Sequence, residues 1–208
     1  MKLIDNTITQ FTNELASNSP APGGGSTAAI EASFGASLIA MVCELTLGNK
    51  KYEEYHEKAD TIKQEALKLK NRMLEVVDED TEAFNLVSDA FAMKKEIDEE
   101  KKLRRQAIQN GLKQCCLPPL EVMNLSCESL ELAKQLIDNY NTSTASDLGT
   151  GIASLYAASK GAYYNILINV GGIKDEEYVN EKKSKADNLM NQIEDIVKSL
   201  ENKILEQL

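Results

Sequence analysis

Four carboxylates crowd the segment Val76-Val77-Asp78-Glu79-Asp80-Thr81-Glu82-Ala83-Phe84, and helical geometry separates one of them from the others. At about 100° per residue, Leu69, Met73, Val76, Val77, Ala83, Phe84 and Val87 share one face of a helix. Asp78, Glu79 and Glu82 point away from that face. Asp80 falls near the middle of the apolar stripe, where a leucine would be expected. A carboxylate in such a place must be partnered or neutralised, and burial raises its pKa towards the range where it exchanges protons usefully. That makes Asp80 a candidate general acid or base. The same pattern fits a structural aspartate bonded to backbone or to a neighbouring lysine.

A second candidate is the run Ser19-Pro20-Ala21-Pro22-Gly23-Gly24-Gly25-Ser26. The prolines stop any preceding helix, the glycines strip the backbone bare, and Ser26 is a good N-cap. A helix is therefore expected over 27–47. Exposed N–H groups of Gly23, Gly24, Gly25 and Ser26 at its start would offer an anion or carbonyl site; the plainer reading is a connecting loop. The helix itself is built of Ala, Ser, Gly and aliphatic residues, with Glu31 and Glu44 as its only charges. A helix apolar nearly all round is a buried one. Its uncharged run, Ala32 to Cys43, falls short of the roughly 20 residues that a membrane span needs.

A third pattern lies near the C-terminus. Asp147, Gly151, Ser154, Ala158, Asn165 and Asn169 form a stripe of small and polar residues, beside an apolar stripe of Leu148, Ile152, Leu155, Ala162 and Ile166 that is interrupted by Ser159. Such a surface suits either a tight helix contact or the wall of a ligand cleft. Ser146-Asp147 reads most simply as a helix cap. Bundles build sites between facing helices, so Asp80 and this stripe are expected to meet.

The elements that must position these residues are all helical. Ile4, Ile8, Phe11 and Leu15 give a short amphipathic opening helix. Gly48-Asn49-Lys50-Lys51 closes the buried helix, and a long helix follows over about 53–93. Lys94 to Arg105 is mixed charge and solvated. Another helix runs from near Leu103 to Cys115, Pro118-Pro119 opens the next, and one follows over 143–170. A final helix carries Ala186, Leu189, Met190, Ile193, Ile196, Val197, Leu200 and Ile204. No segment alternates like a strand. The fold class is all-α: one domain over 1–208, an antiparallel bundle of about six helices around one buried central helix.

Composition narrows the function classes. A formal charge of −10 argues against a nucleic-acid or anionic-membrane surface. Cys43, Cys115, Cys116 and Cys127 show no metal-ligand spacing, and unpaired thiols fit a reduced, cytoplasmic setting. The start of the chain carries no signal-peptide pattern. The single histidine, His56, sits in a charged run and reads as a surface residue, which leaves a Ser-His-Asp triad or a His-based metal site without support.

Four ordered motifs resemble the cyclodeaminase/cyclohydrolase family, which includes the cyclodeaminase domain of formimidoyltransferase-cyclodeaminase and methenyltetrahydrofolate cyclohydrolases. They are Leu15-Ala16-Ser17 through Pro22-Gly23-Gly24-Gly25-Ser26, then Val77-Asp78-Glu79-Asp80-Thr81-Glu82-Ala83-Phe84, Ser146-Asp147-Leu148, and Asn165-Ile166-Leu167-Ile168-Asn169. The resemblance implies an all-helical homodimer acting on one-carbon-substituted tetrahydrofolate, without metal or organic cofactor, and with catalysis at Asp80. It implies substrate contacts from Gly23, Gly24, Gly25, Ser26 and Asp147. Asn165 and Asn169 would read the pterin edge, and Lys50, Lys51 and Lys94 would meet glutamate carboxylates. Where the family often has a proline-lysine turn, this chain has Met93-Lys94. The alternative is a non-catalytic helical module that binds folate or a protein partner.

Overall fold

Thr7 opens the first helix with a reciprocal cap: its hydroxyl accepts from the Gln10 N–H, and the Gln10 carboxamide oxygen accepts from the Thr7 N–H. This is α1 (Ile8–Leu15), preceded by a 3₁₀ turn at Leu3–Asp5. The computed structural model describes residues 2–208 and, among them, contains helices and no strand. Six longer helices follow: α2 (Gly24–Leu47), α3 (His56–Ala92), α4 (Asp98–Gln114), α5 (Leu117–Leu136), α6 (Ala145–Val170) and α7 (Glu176–Leu205).

Local chemistry explains most of the boundaries. Asp98, Glu99 and Glu100 fill the first turn of α4, where the helix dipole favours anions. Pro118 and Pro119 sit in the first turn of α5, where missing N–H groups do no harm. Asp175 caps α7 by accepting from the Tyr178 N–H. Three expectations shift. The opening helix is split by the Thr7 cap. The long α3 begins at His56 rather than near residue 53, after a 3₁₀ turn over Lys50–Tyr55. The charged stretch after it is exposed as expected, but α4 already begins at Asp98 rather than near Leu103.

The arrangement can be read from its contacts. Asn165 lies beside Gly24, Gly151 beside Gly35, and the Asn141 side chain donates to the Leu45 carbonyl, so α6 runs against α2. Asp80 meets Ser26 while Lys63 meets Glu44, so α3 also runs against α2. Helix α2 packs on α3, α5 and α6. Ala29, Ala32, Ala36, Ile39, Val42 and Cys43 on it are wholly buried. By length and composition, its 24 residues could cross a membrane after all; here they are packed among other helices.

Glycine sets the closest approach. A Cβ on Gly35 would lie 2.8 Å from the Gly151 carbonyl oxygen and 2.5 Å from Leu155 Cγ, so α2 and α6 touch backbone to backbone there. One face of α2 is left uncovered: Phe34 is 52% exposed, and Met41 and Leu45 are exposed with it.

Candidate active site

The site begins with a missing side chain. Helix α2 starts at Gly24, with Gly23 as its N-cap, and the Asp80 carboxylate of α3 rests against the first turn. A Cβ built on Gly25 would lie 2.1 Å from Asp80 Oδ1, far inside any real contact, so only glycine lets the carboxylate lie so close. The requirement is this approach and not backbone conformation, since none of the described glycines has a positive φ. Gly23 is different. Nothing lies within 4 Å of where its Cβ would be, so sterics give no reason for glycine there.

Ser26 does not cap the helix, as sequence suggests. It is the third helical residue, wholly buried, and its hydroxyl donates to Asp80 Oδ2 at 2.8 Å. Thr81 Oγ1 lies 3.3 Å from Ser26 Oγ. Burial pushes the Asp80 carboxyl above the usual carboxylate range. Hydrogen bonds from the Ser26 hydroxyl and backbone N–H pull the other way without cancelling it. The positive end of α2 also favours an anion here. The result is a half-buried carboxyl group with neutral partners only, able to exist in either protonation state.

Two amides border it. Asn165 Nδ2 donates to the Gly161 carbonyl at 2.8 Å, and the carboxamide lies over Gly24, 3.1 Å from where a Cβ would sit. Asn169 Nδ2 donates to the Cys115 carbonyl at 2.9 Å. Cys115 is close enough for the Asp80 charge to raise its thiol pKa further, although burial is the larger cause of its rise to about 11. Asp80, Gly24, Gly25, Ser26, Asn165 and Asn169 thus gather at one end of the bundle. A groove of about 500 Å³ between α3 and the start of α5, lined in part by Glu82, Ala83, Gln114 and Pro118, opens within one helical turn of Asp80.

Other sequence candidates lie elsewhere in the chain. Lys51 follows the far end of α2, about 36 Å along its axis from Gly24, where its ammonium rests over the Tyr52 ring. Lys50 shares that turn. Asp147 is at the start of α6, about 27 Å along that helix from Asn165; the helix is preceded by Thr144, so Ser146-Asp147 is no cap. Lys94 lies beyond the end of α3, about 18 Å or more from Asp80. Within this chain, Lys51, Lys94 and Asp147 therefore do not join the site, because long helices separate the motifs that carry them.

Two neighbours of Asp80 also behave differently from the helical-wheel reading. Asp78 is not solvated: its Oδ1 accepts from the Leu3 N–H at 2.6 Å because the opening 3₁₀ turn folds over α3. Phe84, assigned to the apolar face, is 37% exposed. Glu79 does face outwards, pairing with Arg72, which also binds Glu75 and Glu121. Sequence reasoning missed Thr81 as a partner of Ser26; its hydroxyl one residue from Asp80 was the available signal. His56 is half-buried and its Nε2 lies 3.3 Å from the Asn49 carbonyl oxygen. All four cysteines are buried and free, and no trio of His, Cys, Asp or Glu among the described residues could hold a metal ion.

The family model for formiminotransferase-cyclodeaminase matches residues 7–188. The chain belongs to that family. Within the formiminotransferase-cyclodeaminase family it is similar to a methenyltetrahydrofolate cyclohydrolase of Methylorubrum extorquens, with 34% identity and 88% of each chain covered. It is 30% identical to the mouse formimidoyltransferase-cyclodeaminase over 85% of this chain, which spans about a third of that longer protein, 32%. Among solved structures, the formiminotetrahydrofolate cyclodeaminase of Thermotoga maritima superposes with a TM-score of 0.86 over 97% of this chain and 96% of that one, at 22% identity. That likeness establishes the shared helical fold.

Proposed function

We propose that this chain is a one-carbon folate enzyme that hydrolyses the methenyl bridge of methenyltetrahydrofolate, with Asp80 transferring the protons. The observation that carries the reading is the Asp80 carboxyl group seated on the first turn of α2 with neutral partners only. A carboxylate held by lysine or arginine would stay an anion; this one can take up a proton and return it. The cyclohydrolase name of a relative matched over 88% of both chains supports the choice of reaction.

The bridge carbon lies between two nitrogens and carries positive charge. As a water oxygen bonds to that carbon, the Asp80 carboxylate accepts a proton from the water. The tetrahedral carbinol then collapses: one C–N bond breaks, Asp80 returns its proton to the departing nitrogen, and the carbinol hydroxyl loses its proton to solvent. The N–H groups of Gly24 and Gly25, which start the helix, and the free carboxamide oxygens of Asn165 and Asn169 are the groups we assign to polar substrate edges. Both steps are proton transfers around one carbon, so no metal or organic cofactor enters the proposal.

A second reaction uses the same geometry. In formiminotetrahydrofolate with its formimino group protonated, the ring-side nitrogen attacks the formimino carbon to leave an amine on it. Asp80 takes the proton of the attacking nitrogen and delivers it to that amine, which leaves as ammonia from the methenyl cation. The relatives named formimidoyltransferase-cyclodeaminase favour this reading. Supplying purified protein with the methenyl and formimino substrates in separate assays decides between them. Turnover of neither would favour the binding-module alternative.

The proposal includes a homodimer in a reducing, cytoplasmic setting. The exposed apolar residues Phe34, Met41 and Leu45 recur along one face of α2, and covering them would remove apolar surface from water. A second copy covering that face also offers a route by which Asp147, Lys51 or Lys94 could approach a substrate. Four free, buried thiols fit the reducing compartment.

A further inference from the structure

We infer that Ser26 and Thr81 form a reversible hydroxyl relay that keeps Asp80 hydrogen-bonded in both of its protonation states, making them positioning residues for its proton transfer. This rests on the proton-transfer role proposed for Asp80.

Two contacts link the three side chains, a short one between Ser26 and Asp80 and a longer one between Ser26 and Thr81. Ser26 Oγ is wholly buried and donates its single proton to Asp80 Oδ2 at 2.8 Å. With that proton committed, the 3.3 Å contact between Ser26 Oγ and Thr81 Oγ1 must be donated by Thr81. Order therefore runs Thr81 to Ser26 to Asp80 when the carboxylate is charged. When Asp80 is protonated on Oδ2, the same oxygens reverse the order: Asp80 donates to Ser26, and Ser26 donates to Thr81. Hydroxyls can do this because each both donates and accepts; an ammonium or guanidinium in the place of Ser26 could only donate and would hold Asp80 charged. No bond other than O–H is made or broken, and the proton count of the pair is unchanged apart from the one that Asp80 exchanges.

The surroundings leave the relay in control. From α2 the groups facing Asp80 are Ser26 and the bare Gly25. From the C-cap of α4 it is the Cys115 thiol, which stays protonated because burial and the Asp80 charge raise its pKa to about 11. From α6 the neutral Asn165 lies over Gly24, the residue before Gly25. On α3 itself, Glu79 is neutralised by Arg72, Asp78 is turned to the Leu3 N–H, and Glu82 is exposed. The desolvation that raises the Asp80 pKa is thus moderated mainly by the two Ser26 donors.

The two hydroxyls have opposite expected effects. Ser26→Ala deletes the donor that favours the charged form, so the Asp80 pKa should rise further, by about one pH unit for one charge-assisted hydrogen bond. Thr81→Val removes one bond in each state: the charged form loses only the long 3.3 Å donation from Thr81 to Ser26, whereas the protonated form is left with the buried Ser26 O–H without an acceptor, the larger loss. The Asp80 pKa should then fall. Thr81→Ser restores the hydroxyl and should titrate like the wild type.

The test follows the side-chain carboxyl carbon of Asp80 by NMR through a pH titration of the intact protein, in parallel with the pH profile of kcat/KM. Opposite displacements in Ser26→Ala and Thr81→Val, with Thr81→Ser unmoved, are expected, and the acidic limb should follow each. An Asp80 titration that moves in neither variant, or moves upwards in both, overturns the relay. If Ser26→Ala fails to fold, the Thr81→Val and Thr81→Ser pair decides alone: a downward displacement restored by serine supports the relay, and any other result overturns it. An NMR titration that moves as expected while the acidic limb stays fixed upholds the relay and removes Asp80 from the rate-determining chemistry.

Discussion

Gly25→Ala is a one-carbon perturbation placed against the candidate catalytic group. The new Cβ would stand 2.1 Å from Asp80 Oδ1, 2.5 Å from its Cγ and 2.7 Å from Oδ2. Real Cβ contacts essentially never come closer than 3.0 Å, so Oδ1 must retreat by at least 0.9 Å (3.0 minus 2.1). The obstructing atoms are the end of a rotatable side chain, so the clash can be relieved by swinging the carboxylate off Ser26 without moving either helix. Alanine also loses less backbone entropy than glycine on folding, which offsets part of the lost hydrogen bonding. The expected outcome is a protein that still melts cooperatively within a few degrees of wild type but turns over substrate about 10²-fold more slowly, as a 1 Å misplacement of a reacting group does. Steady-state kinetics beside thermal melts by circular dichroism measure both. Wild-type kcat in a folded Gly25→Ala protein would refute the idea that the glycine exists to seat Asp80; unfolding would show instead that the contact supports the fold.

Gly35→Ala should behave in the opposite way, because the obstruction includes the Gly151 carbonyl oxygen at 2.8 Å as well as Leu155. Overpacking of this kind costs about 1–3 kcal/mol, visible as a lower denaturation midpoint, and an unchanged midpoint would contradict the tight α2–α6 crossing. Light scattering over a dilution series should give a dimer mass for the wild type, with Phe34→Glu shifting the population towards monomer; an unaltered dimer would place the interface on another face. Gly23→Ala, where the Cβ meets open space, should leave stability and kinetics close to wild type, and a large loss would show that a ligand approaches that residue.

The fold was legible because helices declare themselves by period and punctuation. The Pro-Gly run, Gly48, the proline pair at 118–119 and the Gly171-Gly172 turn each fall at or next to a helix boundary. Asp80 was legible for the same reason: a charged residue on an apolar stripe breaks a strong pattern. Its partner Ser26 was found but given the wrong task, since a serine after glycines looks like a cap and only the packing of α3 against α2 turns it towards Asp80. Asp78 was misread because the helical wheel of α3 contains no information about the 3₁₀ turn that folds back over it. Lys51, Lys94 and Asp147 were grouped with the site by motif, but sequence motifs do not say how far apart 24- to 37-residue helices hold them.

The most direct measurement is the turnover of Asp80→Asn across pH. Asparagine keeps the shape and can still accept from Ser26, but cannot carry the proton, so kcat should fall by roughly 10²–10⁴-fold while substrate affinity changes far less. Stability supplies a second readout with a defined sign. Because burial raises the Asp80 pKa above its ordinary 3.8, the folded state binds this proton more tightly than the unfolded one. The stability contributed by the protonated carboxyl is present below pH 3.8 and lost as pH rises through the folded-state value. Asp80→Asn should therefore melt no lower than wild type at neutral pH, with any advantage fading in acid. In the wild type, kcat should fall as the pH drops through the raised Asp80 pKa. Asp89→Asn, at an exposed position of the same helix outside the groove, is the matched control. A folded Asp80→Asn protein that hydrolyses the methenyl substrate as fast as wild type would contradict catalysis by Asp80.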